Sequence, residues 1–298
     1  MDEEMMFEMS AGSLEGLPSV GEMFDLTGKV AVVSGTIGLA LSVIYRLASC
    51  GAKVVFGARR EVIGQMAEER LREMGLDVRF HKLDVSSVES CREIVAFAEQ
   101  TYGTVDIVVP VAAAFFARAF VDIKESEYDR IVDVDQKGQY FLVQAAARSM
   151  IRGKKGGKVV TVASVAYRGE DMPKLAMMTA YNTAKAGVVG MTRGIAKELK
   201  QYGINVNCVA PGGMVTPGAI FNNTTAELYG PEWTRYVTEY GAGVPVAPNP
   251  DEIARMILTL CTPVSDFMYG QTVEVDGGSQ FSFQDKPWSY TMEGGLHA

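Results

Sequence analysis

Histidine is almost absent from this chain of 298 residues, with His81 and His297 the only two. A three-histidine metal centre is therefore impossible and no H-E-x-x-H helix exists, which excludes zinc-dependent hydrolysis. A Ser-His-Asp hydrolase would have to draw its base from these two, and no G-x-S-x-G elbow presents a serine. Cysteine is scarce as well. Cys50, Cys91, Cys208 and Cys261 are widely spaced with no C-x-x-C pair, which points to small core hydrophobes rather than a metal clip or a dithiol centre. Acid/base chemistry must then come from Tyr, Lys, Asp or Glu.

Positive charge is also in deficit, with 28 Lys+Arg against 36 Asp+Glu and a net charge of −8. Without a Lys/Arg-rich run the chain is a poor match for nucleic acid, whose binding requires many phosphates to be neutralised. Long apolar runs are missing too. The longest, Ile107 to Ala117, has 11 residues and includes Pro110, against the roughly 20 needed to span a bilayer. The first residues, Met1-Asp2-Glu3-Glu4, are acidic where a secretory signal is basic. The expectation is a cytoplasmic protein with no membrane partner.

Hydrophobic residues at 48% and charged residues at 21% supply an ordinary globular core. Residues 1–25 show no sustained period and read as an extension. From Lys29 onward the pattern alternates. Apolar runs begin near Val30, Val54, Val78, Ile107, Lys158 and Asn205, and between them lie segments of helical spacing: Leu39–Cys50, Glu61–Met74, Val88–Tyr102, Glu125–Arg152 and Thr179–Tyr202. Strands that are apolar throughout belong in a parallel sheet covered on both faces, so the fold class is α/β with a doubly wound parallel sheet.

Ser34-Gly35-Thr36-Ile37-Gly38 joins the first strand to the first helix of that alternation. Such a turn aims free backbone N–H groups at an anion, as dinucleotide pyrophosphates require, though a plain tight turn has the same glycines. The ribose-reading position lies roughly 20 residues further on, within Gly57-Ala58-Arg59-Arg60. An acid there would grip the 2′-hydroxyl of NAD. Arg59 and Arg60 offer charge for a 2′-phosphate instead, so NADP(H) is expected over NAD(H).

Tyr181 and Lys185 are four apart on a predicted helix and share a face. An ammonium beside a phenol is expected to draw its pKa down from about 10 toward working pH and make Tyr181 a general acid or base. The preceding strand, Val159 to Ala163, ends in Ser164 at the carboxyl edge, where open α/β sheets bind ligands.

At these residues the sequence resembles the short-chain dehydrogenase/reductases. Further matches are Asp25-Leu26-Thr27-Gly28-Lys29-Val30, Leu83-Asp84-Val85-Ser86, Asn205-Val206-Asn207-Cys208-Val209-Ala210-Pro211-Gly212 and Gly270 to Gly278. The resemblance implies a Rossmann-like, three-layer α/β/α single domain over 26–278, with a substrate lid about 217–250 and a tail 279–298. It implies that Tyr181 donates the proton to a carbonyl oxygen, that Lys185 tunes it and binds the nicotinamide ribose, and that Ser164 orients the carbonyl. It places Gly35, Thr36, Ile37 and Gly38 on the pyrophosphate, Asp84 and Val85 on the adenine, and Gly212, Met214 and Thr216 at the nicotinamide end. A homo-oligomer, tetramer or dimer, through the Glu125–Arg152 and Thr179–Tyr202 helices is also implied.

The chain departs from that family in the glycine turn, which is three residues shorter than the usual T-G-x-x-x-G-x-G. Pro110-Val111-Ala112-Ala113 stands where the family has N-N-A-G, and Asp135 stands for the relay asparagine. Asp135 either accepts from Lys185 or a water in the catalytic centre, or is a solvated helical acid like Asp133. Ser164 and Tyr181 are 17 apart with Met172, Leu175, Met177 and Met178 between them, and aromatic residues crowd the lid and tail. An adaptable apolar pocket follows from these. The expected activity is reduction of a hydrophobic, cyclic ketone of steroid or flavonoid type. A non-catalytic binding or scaffold subunit, and a lyase or epimerase using the same tyrosine without net redox, stay open beside it.

Overall fold

Apolar runs without alternation become strands buried on both faces. In β1 (Val30–Ser34) all five residues are buried; Ala31 and Val33 pack into one hydrophobic core while Val30 and Val32 pack into another. β2 (Lys53–Ala58), β3 (Val78–Lys82), β4 (Ile107–Pro110), β5 (Gly157–Val162), β6 (Ile204–Pro211) and β7 (Thr272–Val275) join it in one seven-stranded sheet. Every pairing in that sheet is parallel, and the order is β3-β2-β1-β4-β5-β6-β7. The order reverses between β1 and β4, which opens a crevice at their carboxyl ends. The computed structural model describes residues 2–116, 118–169, 178–214 and 249–278, together with the backbone of 289–291 and 295–297.

Helices α1 (Glu3–Gly12) and α2 (Val20–Phe24) lie in the N-terminal extension and bury no residue. Their ends are fixed locally, by the Asp2 cap on α1 and a Ser19/Glu22 capping box on α2. α3 (Leu39–Ser49), α4 (Glu61–Glu73) and, late in the chain, Pro250–Cys261 contribute to the first core. α5 (Val88–Tyr102) covers the opposite face. The stretch expected as one helix from Glu125 to Arg152 is two, α6 (Glu125–Val132) and α7 (Gly138–Gly153), joined by a π turn over Asp133–Lys137. α8 (Thr179–Leu199) and α9 (Pro250–Cys261) complete the layers, and Arg46 of α3 grips Asp251 of α9 through two hydrogen bonds of 2.6 Å. A short antiparallel pair, β8 (Ser289–Thr291) with β9 (Gly295–His297), follows.

β4 stops at Pro110, because proline has no N–H for the ladder. No described helix is long and apolar enough to cross a membrane. Among the described residues no group of three or more His, Cys, Asp or Glu gathers as metal ligands.

Candidate active site

The carboxyl ends of β1, β2 and β3 hold the dinucleotide candidates. Ser34 is buried and its hydroxyl accepts the Ala112 N–H at 3.0 Å, tying the end of β1 to the loop after β4 where Pro110 has ended the ladder. Gly35 sits at φ 109°, and an added Cβ would stand 2.7 Å from that of Ala40, so only glycine lets the chain pass this close to α3. Gly38 is the N-cap of α3 and no side chain caps the helix there. The first-turn N–H groups are therefore left for an outside acceptor, the arrangement that holds a phosphate. Thr36 is buried and Ile37 exposed within this turn.

Arg59 and Arg60 are exposed just beyond β2. Their neighbour Glu61 is taken by Lys82 at 2.6 Å, and neither arginine enters an ion pair among the described residues. Asp84 and Val85 lie past the end of β3, but their polar atoms are engaged locally. The Asp84 carboxylate accepts from the Ser86 N–H at 3.0 Å and its hydroxyl at 2.6 Å. An added Cβ on Gly138 would come within 2.7 Å of the Val85 carbonyl, so this loop packs directly on the π turn. Gly212 donates its N–H to Val275 at 3.0 Å, joining β6 to β7, and Met214 packs on the first core. Thr216, most of the expected lid and most of the tail lie outside the described residues.

The start of α3 with no side-chain cap at the sheet's switch point, the glycine-only approach at Gly35 and the exposed arginines just beyond β2 lie at the carboxyl edge, where open α/β sheets bind their ligands.

The catalytic candidates meet at the end of β5. Ser164 follows that strand, its hydroxyl accepting the Ala166 N–H at 3.3 Å and hydrogen-bonding the Tyr181 side chain. Tyr181 and Lys185 share a face of α8 as their spacing requires, with Lys185 Nζ 5.3 Å from the centre of the Tyr181 ring. Nζ donates to the Val162 carbonyl at 3.2 Å and lies 3.6 Å from Asp135 Oδ2. Asp135 is fully buried and its Oδ1 accepts the Ala114 N–H at 2.6 Å, so it is not a solvated acid. The π turn carries it inward.

Two more residues complete the centre: Gln139, which sequence reasoning missed, and Phe115 of the apolar run Ala114-Phe115-Phe116. Gln139, 2% exposed, donates through Nε2 to Val162 O at 2.8 Å and Asp135 O at 3.0 Å, and accepts the Val162 N–H at 3.1 Å. A lone amide on the inner face of an apolar helix was the available signal. Phe115 stands edge-on to Tyr181 at 5.3 Å, and with Met178 and Ala166 it makes an apolar wall.

Burial pushes the Tyr181 phenol up; Lys185 pulls it down, Asp135 raises it and the Ser164 hydrogen bond lowers it, and the net direction is upward. The expected downward pull of Lys185 is present, but desolvation outweighs it. Burial opposes the Lys185 ammonium, yet Asp135, Tyr181 and Cys208 outweigh burial and hold it above its ordinary value. Burial raises the Asp135 carboxyl while Lys185 and the Ala114 N–H oppose the rise. Cys91 and Cys261 are buried thiols pushed up to about 11 and about 12, which makes them packing groups rather than nucleophiles.

Residues 33–280 match the family model described as enoyl-(acyl carrier protein) reductase. The chain is 31% identical over 264 residues to galactitol 2-dehydrogenase of Agrobacterium fabrum, covering 86% of this chain and 99% of that protein. Among solved structures, a short-chain type dehydrogenase/reductase from Mycobacterium marinum superposes with a TM-score of 0.78 at 29% identity, over 87% of this chain and 98% of that one. An actinorhodin polyketide ketoreductase with NADPH gives 0.77 at 27% identity, over 84% and 96%.

Proposed function

The chain belongs to the short-chain dehydrogenase/reductase family of oxidoreductases, and from that premise we propose that it is an NADPH-dependent reductase of bulky, apolar, cyclic ketones, reversible as an alcohol dehydrogenase. The observation that carries this is the junction of Ser164, Tyr181 and Lys185 at the end of β5, with Phe115 and Met178 as an apolar wall, on the same sheet edge as the uncapped start of α3 after β1. When bound, the dinucleotide supplies the hydride. The Ser164 hydroxyl holds the carbonyl oxygen, and the Tyr181 hydroxyl delivers its proton to that oxygen as charge develops there. Lys185, fixed by Val162 and Asp135, keeps a positive charge under the phenol and offers a donor to the nicotinamide ribose. Arg59 and Arg60 would hold the 2′-phosphate, and their exposure just beyond β2 supports NADP(H) over NAD(H).

Steroid- and flavonoid-like ketones fit the wall of Phe115 and Met178. The polyol named for the Agrobacterium relative is the competing substrate class. A homo-oligomer, dimer or tetramer, through α6, α7 and α8 is supported by the exposed Tyr128 and Tyr140 on their outer faces. The test is a screen of cyclic ketones with NADPH and NADH, and of sugar alcohols with the oxidised forms, followed at the nicotinamide absorbance. Tyr181→Phe is expected to lose roughly 10²–10⁴-fold in turnover while still binding NADPH. Equal turnover by both forms sinks the mechanism. Failure to bind either dinucleotide favours the scaffold alternative, and product without stoichiometric NADP⁺ favours a lyase or epimerase.

A further inference from the structure

Asp135 has no exposed surface, and only one of its oxygens has a hydrogen-bond donor. The other, Oδ2, faces Lys185 Nζ at 3.6 Å, and the same ammonium lies 5.3 Å from the centre of the Tyr181 ring. A carboxylate in such an interior persists in charged form only beside its counter-charge. The catalytic phenol therefore stands over a closed pair of opposite charges, not over a lone ammonium.

We infer that Asp135 is a positioning residue that cancels much of the field of Lys185 at Tyr181, holding the phenol protonated and setting the site to give a proton to a carbonyl rather than take one from an alcohol. Among the described residues the groups that bear on this are few. Facing Lys185 are Tyr181 from its own helix, Asp135 from the π turn and Cys208 from β6. Facing Tyr181 among the described residues are Lys185, Asp135 and the Ser164 hydroxyl, and the clusters it packs against, with Phe115, Ala166, Met178 and Ile131, are apolar. The upward direction found for Tyr181, in which burial leads and Asp135 adds, agrees with this geometry. The consequence for direction rests on the reductase function proposed above.

Asp135→Asn keeps the side-chain size and an acceptor for Ala114 while removing the charge. Its effect is read by ring-carbon NMR of tyrosine-labelled protein across pH, with the Tyr181 signal assigned by its loss in Tyr181→Phe. This readout needs no turnover. In the unmodified protein Tyr181 is expected to stay phenolic to at least the ordinary tyrosine value of about 10. In Asp135→Asn the titration is expected to fall by about one unit or more, and the alkaline limb of alcohol oxidation to move with it, a roughly tenfold gain on the rising limb. A Tyr181 that ionises below the ordinary value in the unmodified protein overturns the inference, as does an unchanged or higher titration in the variant. Should the variant not fold, the unmodified titration decides alone. Absence of any turnover would count against the reductase function and leave the NMR result to judge Asp135.

Discussion

Replacing Gln139 by leucine removes a clamp at the point where β4 leaves the sheet. β5 pairs with β4 only at Lys158 and Val159, so further along the strand the Val162 N–H has no partner on that side except Gln139 Oε1 at 3.1 Å. The same amide donates to Val162 O and Asp135 O at 2.8 and 3.0 Å. Each bond contributes about 1 kcal/mol net, and a buried N–H left orphaned costs about 1–3 kcal/mol. Val162 O keeps Lys185 as a donor, which limits the loss on that side. Leucine of similar size offsets part of it through apolar burial, giving an expected destabilisation of about 2–4 kcal/mol. At roughly 2–4 °C per kcal/mol for a large domain, Tm should fall by about 4–16 °C in a thermal melt followed by circular dichroism. Turnover should drop as well, since Val162 O also anchors Lys185. A Tm loss below about 2 °C would refute the reasoning, because the sheet end would then be held by something other than this amide.

Removing both Arg59 and Arg60 as alanines should raise KM for NADPH by roughly 10–100-fold, the loss of a charge-assisted contact of about 1.5–3 kcal/mol, and leave NADH nearly unchanged. Steady-state kinetics with both cofactors measures this, and an unaltered preference would show that the 2′-phosphate is held elsewhere. The Asp251 carboxyl is lowered from 3.8 to about 2, chiefly by the Arg46 hydrogen bonds, with burial opposing. Its folded value is thus depressed, so the pair stabilises fully above the unfolded value and the contribution is lost as pH falls through about 2. Discounted for its partial exposure, the pair is worth about 1–2 kcal/mol at neutral pH. The Tm gap between the unmodified protein and Asp251→Asn should be full at neutral pH and nearly closed around pH 2; a gap constant across that range would mean the pair contributes by packing alone.

The order of strands and helices was legible because a parallel sheet covered on both faces needs uninterrupted apolar runs, and Val30 to Val33, Val54 to Phe56 and Ile107 to Val109 provide them. Tyr181 and Lys185 were legible because helical spacing alone puts them on one face. The π turn was not, since one added residue between two amphipathic stretches leaves the apolar count of each intact. α1 escaped notice because it has no buried face, and a periodicity argument detects only helices that pack. The direction of the Tyr181 shift depends on burial in competition with two opposite charges, and sequence spacing reveals the charges without the depth.

The π turn also makes the rod from Glu125 to Gly153 a problem of phase. Each residue turns an α-helix by about 100°, and the Gly138 N–H reaches back five residues to Asp133 O instead of four. α6 and α7 are thus set out of step, so that Ile131 faces Ala180 and Ala184 while Leu142 and Val143 face the second core. Deleting one residue from the turn would shorten the rod by only about 1.5 Å, yet it would rotate one half against the other by about 100°. The fold would register such a deletion as torsion, with either the core contacts of one half or the inward aim of Asp135 given up.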